Sequence, residues 1–232
     1  MIAKPISPML QRQKPVTNGL ALGLPFTEGS GTTVYDQSGN GNNGTLSGGV
    51  TWTGGPSGWT LNFNGSTGYV TYPLAKAAPA LSKFTLMTWF GCNALTGTYQ
   101  MIISVTTTGN PTELRLLGNT TRLELSMGST GDLILAGSLS LKTWYHLTAT
   151  YDGTNILLYV NGALQGSGTY TGAISNTTNP CVIGGRAGSF FVNGMIDTPK
   201  IYNRALSPAE IAADYFDSAA IYRRKSLLRR IA

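Results

Sequence analysis

The sequence predicts an all-β protein, a two-sheet antiparallel β-sandwich with one short helix near its C-terminal end. Three observations carry that expectation. The 232 residues include 30 Gly and 11 Tyr with only 11% charged, and Thr, Ser and Asn recur throughout, a composition of many short strands and tight turns. Two aromatic and β-branched runs, Trp144 to Tyr151 and Ile156 to Val160, each close on Asp-Gly or Asn-Gly. Those dipeptides supply the positive φ that hairpin turns need. A chain of this length buries a full core as one unit, a common size for sandwiches.

Taken in order, residues 1–18 read as an extended arm, because Pro5, Pro8 and Pro15 lack amide donors and bias their predecessors away from helix. Leu20 to Phe26 is the first predicted strand. Trp59 to Phe63 and Tyr69 to Tyr72 follow the glycine-rich stretch TEGSGTTVYDQSGNGNNGTL. In FTLMTWF, strict alternation puts Phe84, Leu86, Thr88 and Phe90 on one face of a core strand. Tyr99 to Val105, Glu113 to Leu117 and Arg122 to Met127 come next. In the last, Leu123 and Leu125 alternate with Arg122, Glu124 and Ser126, which suggests one solvated face. The paired runs closed by Asp152-Gly153 and Asn161-Gly162 form consecutive antiparallel strands, and Cys181 to Gly185 and Gly194 to Tyr202 complete the set. A helix is predicted from Ser207-Pro208-Ala209-Glu210, with Ser at the N-cap, Pro at the first turn and Glu closing a capping box. Over Ala209 to Phe216, its residues Ile211, Tyr215 and Phe216 would pack on the sheet. The domain division is an arm at 1–18, a sandwich at 19–218 and a basic tail at 219–232, where IYRRKSLLRRIA could form a short amphipathic helix.

Several of these segments resemble the laminin-G-like, concanavalin-A-like jelly-roll domains. Trp144, His146, Thr150-Tyr151-Asp152-Gly153 and Leu158-Tyr159-Val160-Asn161-Gly162 match their late hairpin. Glu28, Gly29, Gly31, Asp36, Ser38, Gly39, Asn40, Asn42, Gly44 and Thr45 fit their opening motif, and Leu61, Phe63, Gly65, Tyr69 and Val70 continue it. Tyr202 to Ser207, followed by Glu210-Ile211, matches the approach to their helix. The resemblance covers about residues 19–217 and implies a jelly roll of the concanavalin-A type. It also implies a structural calcium, because family members often hold one at such a loop. Asp36, Asn40, Asn42 and Asp197 are the candidate ligands, with Asp197-Thr198 standing where the family commonly has Asp-Glu. Ca²⁺ takes six to eight oxygens, and Asp and Asn side chains with turn carbonyls can supply them. Read from the residues alone, Asp36 equally makes an Asx-turn with the Asn and Gly residues in left-handed positions.

Charge is placed at the ends. Lys4, Arg12 and Lys14 lie in residues 1–18, and Arg223, Arg224, Lys225, Arg229 and Arg230 in 219–232, with no acid in either segment. Between them, eight basic residues face all ten acidic ones, a balance of −2, so the pI of about 9.4 belongs to the ends. Basic arms are solvated tails or grips on an acidic surface, a protein assembly or nucleic acid. The five tail residues are therefore the candidate partner-binding set. The central part shows no basic patch of a nucleic-acid reader. No apolar run reaches the roughly 18 residues of a membrane span. Residues 1–18 lack the unbroken apolar segment of a secretory leader, so the expected location is a cytoplasm at synthesis and a virus particle thereafter, with an extracellular location as the alternative.

The catalytic expectation is none. Glucanases of this fold class carry two carboxylates two positions apart on one strand, and no two of the ten acidic residues have that spacing; a pair assembled from distant strands stays open. His146 is the single histidine, in a strand-like run with no nucleophile elbow nearby, and is expected to be packed. Cys92 and Cys181 match no metal spacing and are expected as buried thiols, their pairing left open. A sugar site needs an aromatic platform with a few fixed polar groups. Trp52, Trp59, Tyr69, Tyr72, Tyr99 and Phe190-Phe191 are the available aromatics, and alternation does not say which face outward. Three functions follow. The first is a non-catalytic component of a bacteriophage particle, a capsid decoration or tail-associated protein moored to other virion proteins or to its own copies by its ends and displaying a glycan-binding sandwich. The second is a free-standing calcium-dependent lectin, and the third, disfavoured by the carboxylates, a glycoside hydrolase.

Overall fold

The computed structural model describes residues 16–55, 58–73, 82–105, 112–128, 131–172, 174, 181–186 and 189–228. Its strands are β1 (Leu20–Gly23), β2 (Thr33–Val34), β3 (Gly44–Ser47), β4 (Thr51–Gly54), β5 (Trp59–Asn64), β6 (Tyr69–Tyr72), β7 (Phe84–Cys92), β8 (Gln100–Ser104), β9 (Thr112–Leu116), β10 (Arg122–Met127), β11 (Gly131–Ser138), β12 (Trp144–Tyr151), β13 (Asn155–Val160), β14 (Ala163–Thr169), β15 (Cys181–Ile183) and β16 (Asn193–Tyr202), followed by helix α1 (Pro208–Leu228). They form two antiparallel sheets. Sheet A runs β14-β13-β12-β7-β16-β5-β4 with β1 added on β16, and sheet B runs β11-β10-β9-β8-β15-β6-β3-β2. The predicted sandwich is therefore present. Residues 1–15 of the expected arm, and Arg229 and Arg230, lie outside the described residues.

The hairpin signals place their strands as expected. Val160 pairs with Ala163 across Asn161-Gly162, whose φ values of 53° and 77° are both left-handed, as a two-residue turn requires. At the preceding turn, Asp152 Oδ1 accepts the amides of Thr154 and Asn155 at 2.9 and 2.7 Å, so the side chain itself closes the corner. Five strands (β2, β3, β4, β11 and β14) lie outside the expected set, three of them of four residues or fewer. β14, ALQGSGT, is an edge strand with most of its residues at least partly exposed, so no inward period marks it.

The main core lies between the sheets. It takes Phe84, Leu86 and Phe90 from β7, Leu147 and Ala149 from β12, and Leu114, Leu116, Leu123 and Leu125 from β9 and β10. Alternation identified this face of β7, but all nine residues of the strand are buried. Met87, on its other side, joins Tyr159, Tyr202, Leu206 and Ile211 in a second cluster under α1. The helix starts as expected: Glu210 accepts the Ser207 amide at 2.8 Å while the Glu210 amide donates to Ser207 Oγ at 3.3 Å. Arg204 adds two bonds to the Glu210 carboxylate. Two corrections apply to the helix. It is a single element that runs through residue 219, with Arg223, Arg224 and Lys225 on its continuing backbone, and Phe216 is 62% exposed rather than packed. Ile211 and Tyr215 are one helical turn apart and share the docked face, whereas Phe216 is turned roughly 140° from Ile211.

Under α1 sits a polar group. His146 is buried, and its Nε2–H donates to Asp214 Oδ2 at 3.2 Å, while Lys200 Nζ donates to Asp214 Oδ1. Trp89 packs edge-on to His146 and donates through Nε1 to Ser218 Oγ at 3.0 Å. Burial lowers the His146 pKa from 6.5, outweighing Asp214, so the ring is neutral in the folded protein. Burial alone would raise the Asp214 carboxyl, but His146 and Lys200 bring it down to about 2. Both groups therefore have folded pKa values below their unfolded ones. The unfolded chain binds the extra proton first, so stability falls on acidification. The loss begins as pH drops through 6.5 for His146, and a second loss follows between 3.8 and about 2 for Asp214. Thermal melts across pH should show both, and His146→Gln should remove the first and shrink the second, because His146 shares with Lys200 in holding the Asp214 carboxyl down.

Candidate functional site

The outer face of sheet B, turned away from the core, carries a charge network built across three strands. Leu114 and Leu116 of β9 point inward, so Glu113 and Arg115 point outward by alternation. The β9–β10 register sets Arg115 opposite Glu124 and Glu113 opposite Ser126. Arg115 Nε donates to Glu124 Oε2 at 2.6 Å and its Nη1 to Glu113 Oε2 at 3.1 Å. Glu113 Oε1 receives Ser104 Oγ at 3.3 Å and lies 3.5 Å from Arg186 Nε. Glu113 and Glu124 are buried, at 0% and 1% exposure. This corrects the solvated face expected for Arg122 to Met127: ion pairing lets a polar face be buried. Burial pushes the Glu113 carboxyl up despite both guanidiniums.

Aromatic rings rim this network. Tyr99 covers the Arg115 guanidinium at 4.4 Å from ring centroid to Cζ, a cation–π contact. Phe190 meets Tyr99 edge-on at 6.0 Å, and Phe191 stacks on Tyr69 at 6.3 Å. One loop delivers Arg186, Phe190 and Phe191. It is pinned by Gly184 donating to Ile102 O, Val192 donating to Gly184 O and Phe190 O accepting the Met101 amide. Phe190 itself has φ of 56°, a backbone cost that bulky residues rarely bear and that clusters at binding sites. Tyr69, Tyr99, Arg186, Phe190 and Phe191 are all partly exposed. The arrangement presents an aromatic rim and the partly exposed Arg186 guanidinium, with Arg115 and the two carboxylates buried beneath. Both carboxylates are engaged by one arginine, a geometry that holds a shape rather than releasing a proton.

The structure thus sorts the aromatic pool. Tyr72 is core, Trp52 is half-buried against Phe26, Trp59 is exposed, and Tyr69, Tyr99, Phe190 and Phe191 share the sheet B face. The pair Glu113 and Glu124 escaped sequence reasoning because it spans two strands; the turn near Gly118 was the available signal, since closing it sets Arg115 opposite Glu124.

The expected calcium ligands are arranged otherwise. Asp36 Oδ1 accepts the amides of Gly23 and Ser38, and Oδ2 accepts Ser38 Oγ and the Asn42 amide, all within 2.9 Å. Asn40 and Asn42 turn their Nδ2 groups to the Ala21 carbonyl. Asp197 is buried in β16 opposite Trp89, in the other sheet from β2 and β3. A carboxylate surrounded by hydrogen donors, beside amides directed at carbonyls, does not fit a cation; Asp36 forms the Asx-turn and ties its loop to β1. Among the described residues no cluster of three His, Cys, Asp or Glu side chains stands ready for a metal. Cys92 on β7 and Cys181 on β15 are buried free thiols, with burial raising Cys181 to about 12. A cavity of about 260 Å³ near Leu20, Leu24, Lys200 and Tyr202 has no carboxylate and no stacked aromatic pair in its walls.

A family model of the concanavalin A-like lectin/glucanases superfamily matches residues 64–212. No curated protein sequence matches significantly. Among solved structures, the binding domain of Paraclostridial Mosquitocidal Protein 1 is similar with TM-score 0.68 and 21% identity, over 86% of this chain and 52% of that one. Domain 4 of AbnA, a GH43 extracellular arabinanase from Geobacillus stearothermophilus in complex with arabinotriose, gives TM-score 0.70 and 20% identity, over 84% and 97%. The receptor binding domain of botulinum neurotoxin C/D mosaic serotype gives 0.67 and 19%, over 86% and 51%. The chain spans about half the length of the two toxin domains, and at these identities the likeness concerns the fold.

Two outcomes test the site's construction. Asp36→Ala should lower stability by about 2 kcal/mol, because several amides lose their acceptor, while excess EGTA or added calcium leaves the melting temperature of the unaltered chain unchanged. Arg115→Met should cost about 3–5 kcal/mol, since buried Glu124 loses its guanidinium and Glu113 keeps only Arg186 and Ser104. Adding Glu113→Gln and Glu124→Gln should restore much of that loss in denaturant titrations.

Proposed function

The chain belongs to the concanavalin A-like lectin/glucanases superfamily, and from that premise we propose that it is a non-catalytic glycan-binding module. The observation that carries this reading is the outer face of sheet B, where Tyr99 and Phe190 and the Tyr69–Phe191 pair surround Arg115 and Arg186. Sugars are bound by flat aromatic surfaces against which ring C–H groups rest, with a few oriented polar groups reading the hydroxyls. Arg115, buried between Glu113 and Glu124, fixes the Tyr99 ring above it, and Arg186, partly exposed and paired to Glu113, is the guanidinium a ligand would meet. With that rim already ordered, less side-chain entropy is lost on binding. The names of similar structures, binding domains of two toxins and an arabinanase domain in complex with arabinotriose, support the same class of role.

The finer reading is that the module is displayed from a larger assembly, a capsid decoration or tail-associated protein of a bacteriophage particle. The basic residues at both ends support it, Arg223, Arg224 and Lys225 falling in the last turns of α1. Such a cationic extension suits an acidic partner surface.

A glycan array probed with the intact chain should return binding to a defined set of sugars. Tyr99→Ala and Arg186→Ala should weaken it about tenfold or more, as aromatic and arginine anchors do, with melting temperature reporting that the variants fold. An empty array, or binding indifferent to both changes, would remove sheet B as the ligand face. For the assembly role, removal of residues 1–18 and 219–232 should leave a folded sandwich that fails to incorporate into particles.

A further inference from the structure

A second aromatic surface lies at one end of the sandwich, where loop 27–32 crosses from β1 in sheet A to β2 in sheet B. Trp52 pairs with Leu61 and Gly54 with Trp59 across β4 and β5, so both indoles share the core-facing side. Leu61 is fully buried, but Trp59 is 48% exposed. The loop is drawn onto these rings. Trp52 Nε1 donates to Gly31 O at 2.9 Å, and a Cβ added at Gly29 would stand 2.4 Å from Trp59 Nε1. With φ of 71° as well, position 29 admits only glycine without displacing the ring.

The same loop holds a carboxylate whose bonding is incomplete. Glu28 Oε1 accepts the Tyr35 amide at 2.9 Å, while Glu28 Oε2 is buried with no donor. Tyr35 is 59% exposed. A buried carboxylate oxygen lacking a donor is costly, and here it lies in a loop held to the Tyr35 backbone on one side and set against the exposed Trp59 indole at Gly29. Overflow of the core accounts for the exposed indole of Trp59 but not for the missing donor at Glu28, one residue before the glycine that meets the ring. A ligand hydroxyl would supply that donor, and the indole would supply the surface for the ring that carries it.

We propose that Trp59, Tyr35 and Glu28 form a second carbohydrate site, separate from sheet B, that takes a neutral pyranose. The neutral class follows from the charge present: the only ionic group of the three residues is a carboxylate, which accepts from hydroxyls and repels an acidic sugar. The inference extends the binding role to another surface and stands or falls apart from the sheet B reading.

The test is calorimetric titration of the full chain with cellotetraose, chitotetraose and β-1,4-galactotetraose, and with galacturonic acid oligomers as the acidic counterpart. At least one neutral oligosaccharide should bind. Trp59→Ala should weaken it about tenfold or more, Trp59→Phe less, and Glu28→Gln measurably, while Phe216→Ala, at an exposed aromatic of α1 outside both surfaces, leaves it unchanged. Near-ultraviolet circular dichroism checks that each variant is folded. Three results would overturn the proposal: no neutral oligosaccharide binds, the acidic oligomers bind as well as the neutral ones, or binding survives Trp59→Ala. Loss in Tyr99→Ala with retention in Trp59→Ala would place the sugar on sheet B, upholding that face and rejecting this one.

Discussion

Strand β7 is buried on both faces along its whole length, and this constraint shapes the rest of the molecule. One side is sealed by the core shared with sheet B, through Phe84, Leu86 and Phe90. The other needs a separate cover, and α1 provides it by laying Ile211 over Met87 and Tyr215 over Trp89 and His146. Each fully buried side chain of that size is worth about 1.5–3 kcal/mol, so the helix is part of the domain and not an appendage to it. Sheet A is thereby occupied around its central strands. On sheet B, β8, β9 and β15 are buried along their whole length as well, so the surface a ligand could meet there is the partly exposed rim of Tyr69, Tyr99, Arg186, Phe190 and Phe191.

That face stays in place through an ion network rather than through apolar packing. Two carboxylates and two guanidiniums are expensive to bury, and mutual attraction offsets the desolvation only when every lone pair is met. Arg115 meets one oxygen of each glutamate, while Ser104 and Arg186 take the remaining oxygen of Glu113. An apolar replacement of the same volume could be as stable. What it would lack is the placement of Arg115 beneath Tyr99 and of Arg186 against Glu113, on which the proposed binding role rests.

Much of this architecture was legible in local patterns. Tyr69–Tyr72, Arg122–Met127 and Trp144–Tyr151 have the bounds their composition indicates, Asn161-Gly162 makes its turn, and Ser207 with Glu210 caps the helix. The site was less legible, because it depends on contacts between segments. Glu124 reads as a surface residue until Arg115 is set opposite it, and the two carboxylates meet only through β9–β10 pairing. Phe190 and Phe191 look like loop residues until the pinned backbone of 184–192 brings them against Tyr99 and Tyr69. The loop at Asp36 showed the reverse: its oxygen-rich composition suited a cation, yet the same groups are satisfied by the chain's own amides.

The most direct measurement is a crystal structure of the chain soaked with the highest-affinity glycan from an array. Sugar density resting on Tyr99 and Phe190, with a hydroxyl or carboxylate within hydrogen-bonding distance of Arg186, is the expected result. Density confined to the α1 side of sheet A, with the outer face of sheet B bare, would contradict the account.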